Sequence, residues 1–262
     1  MALQPIERRS LSDSVYDQLS KEIVSGHFAP GEPLPPERTL CALLQVNRGA
    51  IREAVKRLSQ AGLVASHHGS GHRVLDFRRN AGLDLLSQLL IDEEGNLDLQ
   101  VVRSVMEMRS AIGPDAARLC AQRGSQACHQ EIVALVEQMR QADGDIATLQ
   151  DLNLQLWEQI IEGSGNIAYA LAYNSLRDLY EGVRELMGEV LADELRDLDG
   201  LAATAAAIGD GDGAAARDHA RSVIDSGLIA VVGVIEFLES TDQPLHIGNM
   251  PAGRESGPGG ER

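Results

Sequence analysis

The sequence lacks the features of a membrane-spanning or secreted protein. No apolar run approaches the roughly 20 residues that a transmembrane helix needs, and the opening segment MALQPIERRS has no long apolar stretch of the kind found in secretory signals. Cysteine is scarce: there are three, an odd number without a short pairing motif, and Cys41 lies within an apolar helical pattern. We therefore expect buried free thiols, a cytoplasmic location and no membrane partner.

The motifs of common enzyme classes are also missing. The chain has no G-x-S-x-G elbow, no P-loop, no H-E-x-x-H and no Cys-His arrangement. Neighbouring acids such as Asp193 and Glu194 are interpreted as solvated charge on a helix. We predict that the protein is not an enzyme and needs no cofactor. An enzyme fused to a nucleic-acid-binding domain and a pure interaction module are the alternatives.

Negative charge dominates the chain but not its N-terminal part. The formal net charge is -16, from 39 acidic and 23 basic residues. Residues 36–79 contain eight Arg or Lys against three acids, a net charge of +5, whereas residues 80–262 contain 12 basic and 31 acidic residues, a net charge of -19. This asymmetry is typical of a DNA-binding module joined to one that stays off DNA. A chance cluster on a solvated face is the alternative.

The first part of the chain has the element order of a winged helix-turn-helix. A first helix ending near Gly26 is predicted by four apolar residues at four-residue spacing, Leu11, Val15, Leu19 and Ile23. After a loop rich in proline and glycine, a second helix begins at Pro36 and ends near Leu44. Asn47 is a favourable N-cap for a third helix, which Gly62 should end. Two short β-type runs separated by Gly-Ser-Gly then predict a hairpin.

The third helix has two distinct faces. An apolar face that packs inside the domain is predicted by three residues, Ile51, Val55 and Leu58. Arg48, Arg52 and Lys56 share a different stripe at four-residue spacing, which is free to face phosphates. Gly49 and Ala50 are small enough to let the backbone approach base edges in a major groove.

Residues 8–77 resemble the DNA-binding domain of the GntR family. The resemblance covers a proline-glycine loop, a P-x-E-R-x-L helix, an R-x-x-x-R-E recognition helix and a wing that begins with Gly-Leu and ends in G-x-G. It implies operator DNA as a partner. The contacts that it implies are Arg38, Arg48 and Arg52, with His68 and Gly69 at the wing tip. Asn47, Gly49 and Ala50 stand where many relatives have Ser or Thr, so these positions are expected to change the operator sequence that is read.

The predicted DNA contacts on the third helix and in the wing differ in what they are expected to bind. A guanidinium can bind guanine O6 and N7 bidentately, with a discrimination of about 1–3 kcal/mol, and Arg48 is the best candidate. Arg52 contacts a base, anchors a phosphate, or pairs with Glu37 or Glu53. His68 is interpreted as a minor-groove or phosphate contact rather than as a metal ligand.

From about Leu83 onwards the sequence predicts six or seven helices, without strands, in an antiparallel bundle. One long helix over 99–123 is expected to bend at Gly113-Pro114. Further helices are expected near residues 82–91, 127–142, 147–162, 166–190, 193–208 and 212–239. The chain is thus mainly α, and three parts are assigned: a winged helix-turn-helix over 1–79, an all-helical effector-binding and dimerisation domain over 80–240, and a flexible tail over 241–262.

Residues 80–240 resemble the effector domain of the FadR subfamily of that family, through MEMRSAIGPDAARL, WEQIIEGSGN and GDGDGAAARDHARSVIDSG. Many members bind a divalent metal through one Asp and three His, at positions that here are Asn153, Trp157, Leu201 and Val223. Because Trp, Leu and Val offer no ligand atom and a neutral amide is a poor ligand, we predict that no metal binds. The pocket should be more apolar and should include Trp157; a plain core position for Trp157 is the alternative.

The resemblance is closest to members that sense long-chain acyl-CoA, through this loss of metal ligands, the segment SLRDLYEGVREL and the DSG sequence at Ser226. Each buried methylene contributes about 0.8 kcal/mol, but the acidic balance repels a polyphosphate unless arginines converge. A small organic acid clamped by Arg109 is the alternative effector. The predicted effector residues are Arg109, Asn153, Trp157, Tyr180, Leu201, Val223 and Ser226.

The protein is expected to act as a homodimer. Two-fold symmetric helical domains would place two recognition helices about 34 Å apart on a palindromic operator. A small-molecule effector would then act by changing the relative pose of these helices, so that ligand and DNA affinities are reciprocally coupled.

Overall fold

The computed structural model describes residues 10–67, 71–92, 94–142 and 144–241, which are mostly helical and include one two-stranded sheet. They form two compact units. The N-terminal unit contains the described residues up to Asp92 together with Ile167–Gly182, and the helical unit contains those over 94–166 and from Val183 onwards. The expected fold class, a winged helix-turn-helix with an all-helical C-terminal domain, is confirmed.

The winged helix-turn-helix begins with three helices and a hairpin. These are α1 Leu11–Val24, α2 Glu37–Leu44, α3 Arg48–Gln60, β1 Val64–His67 and β2 Gly71–Val74. The elements that follow are α4 Phe77–Asn80, a 3-10 turn Leu83–Leu85, α5 Leu86–Leu89, α6 Leu99–Arg123, α7 Gln126–Gln141, α8 Ile146–Gly163, α9 Ile167–Glu181, α10 Arg184–Val190, α11 Ala192–Arg196, α12 Leu198–Gly209 and α13 Gly213–Thr241.

α1 begins at a capping box and is held by its apolar face. The Ser10 side chain accepts a hydrogen bond from the Asp13 backbone N–H, and the Asp13 carboxylate accepts one from the Ser10 N–H. Three residues of the predicted face are buried, namely Val15, Leu19 and Ile23. Leu11, which was predicted on the same face, is 55% exposed, because it is the first helical residue and lies one turn before the core begins.

α3 begins where the sequence predicted. The side-chain oxygen of Asn47 accepts a hydrogen bond from the Ala50 N–H at 2.9 Å, so one of the free N–H groups of the first turn is satisfied. The predicted apolar face is confirmed, since its three residues are buried, namely Ile51, Val55 and Leu58. They pack with the buried face of α1 in one apolar core, which fixes the opposite face of α3 towards solvent.

Gly62 ends α3 as predicted and supports a stability prediction. Its φ is +73°, its N–H donates to the Ser59 carbonyl, and an added Cβ would overlap the carbonyl oxygen of Asn80. A left-handed backbone alone costs a residue with a Cβ about 1–2 kcal/mol. We expect Gly62→Ala to lower the free energy of unfolding, measured by urea denaturation, by more than this amount. Gly26→Ala is the matched control, because φ is +86° there but no atom lies within 4 Å of an added Cβ. Equal losses in the two variants would contradict this role of the Asn80 contact.

The wing is extended by the loop that follows α1. β1 and β2 pair antiparallel. The Gly31 N–H donates to the Val74 carbonyl and the Leu34 N–H donates to the His72 carbonyl, each at 2.8 Å. The Arg73 guanidinium donates to the Gly31 carbonyl at 2.7 Å. The proline-glycine loop therefore lies along β2 and ties the start of α2 to the wing.

Short helical segments and α9 complete the N-terminal unit. A single helix was predicted over 82–91, but the structure has a 3-10 turn followed by the four-residue α5. The Ser175 hydroxyl of α9 donates to the Asp84 carboxylate at 3.0 Å. The predicted domain boundary at residues 79 and 80 stays a prediction, and residues 80–92 and 167–182 belong to the same compact unit as the winged helix-turn-helix.

The second half of the chain differs from the prediction where helices are interrupted. The predicted helix over 166–190 is divided into α9 and α10, and that over 193–208 is divided into α11 and α12. Asp197 separates the second pair, because its carboxylate accepts the Gly200 N–H at 3.0 Å and caps α12. α6 runs unbroken through Pro114, so the proline removes one backbone donor without ending the helix.

The two longest helices, α6 and α13, pack against each other, and α7 packs on α8 and α12. Gly113 makes part of this packing possible, because an added Cβ would overlap Ile224 Cδ1 on α13. Large side chains fill the centre of the unit, and those with almost no exposed surface include Ile132, Met139, Leu156, Leu201 and Ile208.

Candidate nucleic-acid interface and effector domain

The solvent-facing side of α3 carries three basic side chains in one line. The side chains of Arg48, Arg52 and Lys56 are 76%, 69% and 64% exposed. Residues four apart lie on one side of a helix, and the other side of α3 is packed into the core. This basic line is therefore available to a phosphate-lined groove, as contact with DNA requires.

Glu37 on α2 contacts both arginines of the basic line. Its carboxylate accepts a hydrogen bond from Arg48 Nε at 2.8 Å, and its second oxygen lies 3.7 Å from Arg52 Nε. The hydrogen bond to Glu37 raises the pKa of the Arg48 guanidinium above its ordinary value. Of the two ion-pair partners considered for Arg52 in the sequence, the structure selects Glu37. The contact of Glu37 with Arg48 was not predicted, although the position of Glu37 in the P-x-E-R-x-L helix was an available signal.

A groove of about 600 Å³ runs beside this line and reaches the wing. The groove is lined by Glu37, Gly49, Arg52, Glu53, Val55, Lys56, Ser59, Gln60, Ser66 and His72. The residues from α3 recur at three- and four-residue spacings, so they form one side of the groove. Ser66 and His72 form the other side, and their side chains lie 3.1 Å apart, Oγ to Nδ1. Sequence analysis did not identify this pair, because the cross-strand register that joins them is a property of the hairpin.

Two basic residues of the N-terminal unit are bonded to other elements of the fold. Arg57 pairs with Asp13 on α1, and its guanidinium lies 4.3 Å from the centre of the Tyr16 ring. Arg73 is bound to the loop carbonyl of Gly31. These two residues join elements of the fold, so the net charge of the segment overstates the charge available to DNA.

The other predicted DNA contacts fall into three groups. Arg38 on α2 is exposed. Asn47 is exposed but uses its side-chain oxygen as the cap of α3, and an added Cβ at Gly49 would lie 3.2 Å from that oxygen. His68 and Gly69 lie outside the described residues.

The interior of the helical unit contains the only tryptophan of the chain. Trp157 on α8 is buried, and a Cβ on Gly113 of α6 would lie 3.5 Å from the edge of its six-membered ring. The indole Nε1 is buried without a hydrogen-bond partner. A buried donor without an acceptor lowers the stability of the fold by about 1–3 kcal/mol. Trp157 therefore has tightly packed apolar neighbours and one polar atom that forms no hydrogen bond.

The other positions that correspond to metal ligands in relatives are apolar or only partly buried. Leu201 on α12 and Val223 on α13 are buried, and an added Cβ at Gly200, next to Leu201, would lie 2.6 Å from Val223 Cγ2. Asn153 on α8 is half-buried. Among the residues that the structure describes, no group of three or more His, Cys, Asp or Glu side chains is arranged to hold a metal ion.

Arg109 is engaged by a buried carboxylate. Its guanidinium donates to both carboxylate oxygens of Glu194, one at 2.8 Å. The Glu194 side chain is 2% exposed and that of Arg109 is 21% exposed. A Cβ on Gly227 of α13 would overlap the Glu194 carboxylate, so this glycine provides the space for the pair. The interpretation of Glu194 as solvated charge was wrong, because its partner lies 85 positions earlier in the sequence.

Two further predicted effector residues are not part of the packed interior of the helical unit. Tyr180 is on α9, which belongs to the N-terminal unit. Ser226 on α13 is exposed, and its hydroxyl donates to the Val223 carbonyl at 2.7 Å. The helical unit therefore contains Trp157, Leu201, Val223 and Arg109 within its packed helices, but not Tyr180.

Comparison with known proteins assigns both parts of the chain. Residues 11–74 match the family "Bacterial regulatory proteins, gntR family", and residues 104–226 match the FCD domain. The chain belongs to the GntR family of bacterial transcriptional regulators, in its FadR-like branch. It is a DNA-binding transcriptional regulator and not an enzyme, with an effector domain of the FCD type.

Three relatives illustrate the similarity. The HTH-type transcriptional regulator Mce2R of Mycobacterium tuberculosis (strain CDC 1551 / Oshkosh) is 36% identical over 238 residues, which is 90% of this chain and 97% of the relative. The fatty acid metabolism regulator protein of Serratia proteamaculans (strain 568) is 27% identical over 179 residues, 68% of this chain and 72% of the relative. Among solved structures, Lar, which controls the expression of the Listeria monocytogenes agr system, matches with a TM-score of 0.57 at 17% identity over 87% of this chain and 100% of that chain, and this likeness shows the fold.

None of the helices within the described ranges is long and apolar enough to cross a membrane.

Proposed function

We propose that the basic line on α3 reads the operator, with Arg48 on a guanine edge and Arg52 and Lys56 on bases or phosphates of the same groove. The observation that carries this proposal is the exposure of all three side chains beside a groove that reaches the wing. Arg38 on α2, Asn47 and Gly49 at the start of α3, and His68 and Gly69 at the predicted wing tip would extend this contact. A regulator that binds operator DNA would act in the cytoplasm.

The proposed assembly is a homodimer, in which two copies of α3 enter successive major grooves about 34 Å apart on a palindrome. Exposed apolar side chains on α13 support self-association of the helical unit. Ile229 is 72% exposed and Phe237 is 62% exposed, although large apolar side chains are normally withdrawn from water. Light scattering of the purified chain, with and without the double variant Ile229→Ser/Phe237→Ser, tests this: a monomeric parent protein would contradict the assembly.

The proposed effector is a long-chain acyl-CoA. Relatives named fatty acid metabolism regulator proteins support this choice, as does the apolar character of Trp157, Leu201 and Val223 at positions where other members hold a metal. Each methylene of the chain that becomes buried would add about 0.8 kcal/mol. A small organic acid is the second candidate, since Arg109 already binds the carboxylate of Glu194 bidentately. Such an acid would have to displace Glu194, so the acyl-CoA is favoured.

Operator release measured against a ligand series tests the effector proposal. A labelled DNA fragment from the promoter region of the protein's own gene serves as the operator. Its fluorescence anisotropy is followed while acyl-CoAs of increasing chain length, free CoA or small organic acids are added. The proposal expects an affinity change that grows with acyl length and is absent for free CoA. A response to organic acids alone would establish the second candidate, and no response to any acyl-CoA would contradict the first.

Lys56 gives a prediction that separates phosphate contact from base reading. If Lys56 neutralises one phosphate in each protomer, Lys56→Ala should weaken binding to all DNA sequences alike and should reduce the slope of log affinity against log salt by about 0.9 per protomer, or about 1.8 for the dimer. Lys21→Ala is the matched control, because Lys21 is exposed on α1. A salt slope that is unchanged in Lys56→Ala, or changed equally in Lys21→Ala, would remove Lys56 from the interface.

A further inference from the structure

Two of the three cysteines lie next to each other in the helical unit. Cys120 is near the end of α6 and Cys128 is in the first turn of α7, and their sulfur atoms are 4.0 Å apart. All three cysteines of the chain are free thiols in the structure. Eight positions separate the pair, across the turn between two helices, which is why the sequence has no recognisable pairing motif.

The surroundings of the pair are built closely around the two sulfurs. The Cys128 thiol donates to the Gln159 carbonyl at 3.5 Å. A Cβ on Gly163, the last residue of α8, would lie 2.5 Å from Cys120 Sγ and 2.7 Å from Cys128 Sγ. The absence of a side chain at Gly163 therefore provides the space that both sulfurs occupy, and the ends of three helices meet at this point.

We propose that Cys120 and Cys128 form a reversible intrachain disulfide when the protein meets a low-molecular-weight disulfide such as oxidised glutathione. A protein disulfide has its sulfurs about 2.05 Å apart, so the two sulfurs must approach by about half of their present separation. Rotation of the side chains about their Cα–Cβ bonds moves a sulfur over this range. The bond would join the end of α6 to the start of α7.

The chemistry balances as two successive exchanges. The Cys128 thiolate attacks one sulfur of the small disulfide, which forms a mixed disulfide and releases one thiolate. The Cys120 thiolate then attacks Cys128 Sγ and expels the second thiolate. Two electrons pass from the protein to the small disulfide, which is reduced to two thiols, and the two protein protons go to the released thiolates.

Exposure sets the order of these steps. Cys128 is half-buried, whereas Cys120 has no exposed surface, so Cys128 meets the reagent first. Burial raises the pKa of Cys120 to about 12 and also raises the pKa of Cys128. Because both groups are mainly thiols near neutral pH, exchange will be slow and calls for long incubation.

Peptide mapping of the full-length protein tests the proposal. The protein is incubated with oxidised glutathione, remaining thiols are alkylated, and the chain is cleaved with trypsin without reduction. Cleavage after Arg118, Arg123 and Arg140 puts Cys120 and Cys128 on separate peptides. The expected result is a linked pair of peptides 119–123 and 124–140, which is lost on treatment with dithiothreitol, while Cys41 is alkylated or carries glutathione alone.

Two variants test which cysteines form the bond. Cys41→Ser should form the linked pair as the parent does. Cys120→Ser should accumulate a stable mixed disulfide of glutathione on Cys128, because the thiol that resolves it is gone. A link through Cys41, a link between two chains, or alkylation of both Cys120 and Cys128 after prolonged oxidation of the folded parent would overturn the proposal.

Discussion

Replacement of Arg48 by alanine is expected to weaken operator binding by roughly 5- to 150-fold for each half-site, which corresponds to the loss of one bidentate base contact of about 1–3 kcal/mol per protomer. Binding to unrelated DNA should weaken much less, because that binding depends on phosphate contacts. The ratio of the two affinities should therefore fall. Anisotropy titrations of the operator and a scrambled duplex at one salt concentration measure both numbers.

The control for Arg48 is an equally exposed arginine that is not on α3. Arg79 on α4 has an 85% exposed side chain and pairs with Asp76 at 3.4 Å, so Arg79→Ala removes the same charge from the same unit. It should leave the preference for operator over scrambled DNA unchanged. If Arg48→Ala keeps the full preference, or Arg79→Ala loses it equally, Arg48 does not read a base.

Removal of the Glu194 carboxylate is expected to have the largest effect on stability. Glu194→Ala leaves the Arg109 guanidinium in a mostly buried position without its bidentate partner. Breaking a buried ion pair from one side typically costs about 3–5 kcal/mol, so the free energy of unfolding of the helical unit should fall by this amount. Chemical denaturation followed through Trp157 fluorescence reports on that unit, because Trp157 is the only tryptophan.

A double variant distinguishes the lost partner from the lost packing. Removing both charges in Arg109→Met/Glu194→Leu should recover most of the stability, since a buried pair can often be replaced by apolar side chains of similar size at little cost. Glu189→Ala on α10 is the control for an exposed acid and should change stability little. Additive losses from Arg109→Met and Glu194→Leu, with no recovery in the double variant, would show that the pair is not a coupled unit.

Features that depend on neighbouring residues were predictable from the sequence. The cap at Asn47, the stop at Gly62 and the two faces of α3 follow from local hydrogen bonding and helical periodicity. The winged helix-turn-helix follows from the order of these elements. The exposed basic line on α3 was predictable for the same reason, because the apolar face fixes its direction.

Features that depend on tertiary packing, or on one local signal that overrides another, were not predictable. The ion pair of Arg109 with Glu194 joins residues 85 positions apart, and nothing in either local sequence marks the partner. The interruption before α12 arises from a cap at Asp197 inside a stretch whose composition favours a continuous helix. The approach of Cys120 to Cys128 depends on the angle at which α7 leaves α6, which spacing alone does not encode.

We infer that the outward face of α3 lies in the major groove of the operator. The most direct measurement is the distance from the Arg48 guanidinium to the nearest base edge in a structure of the protein bound to its operator. We expect the guanidinium to lie within hydrogen-bond distance of O6 and N7 of a guanine, with the contact to Glu37 broken or shared. A complex in which Arg48 still pairs only with Glu37, and α3 faces away from the duplex, would contradict it.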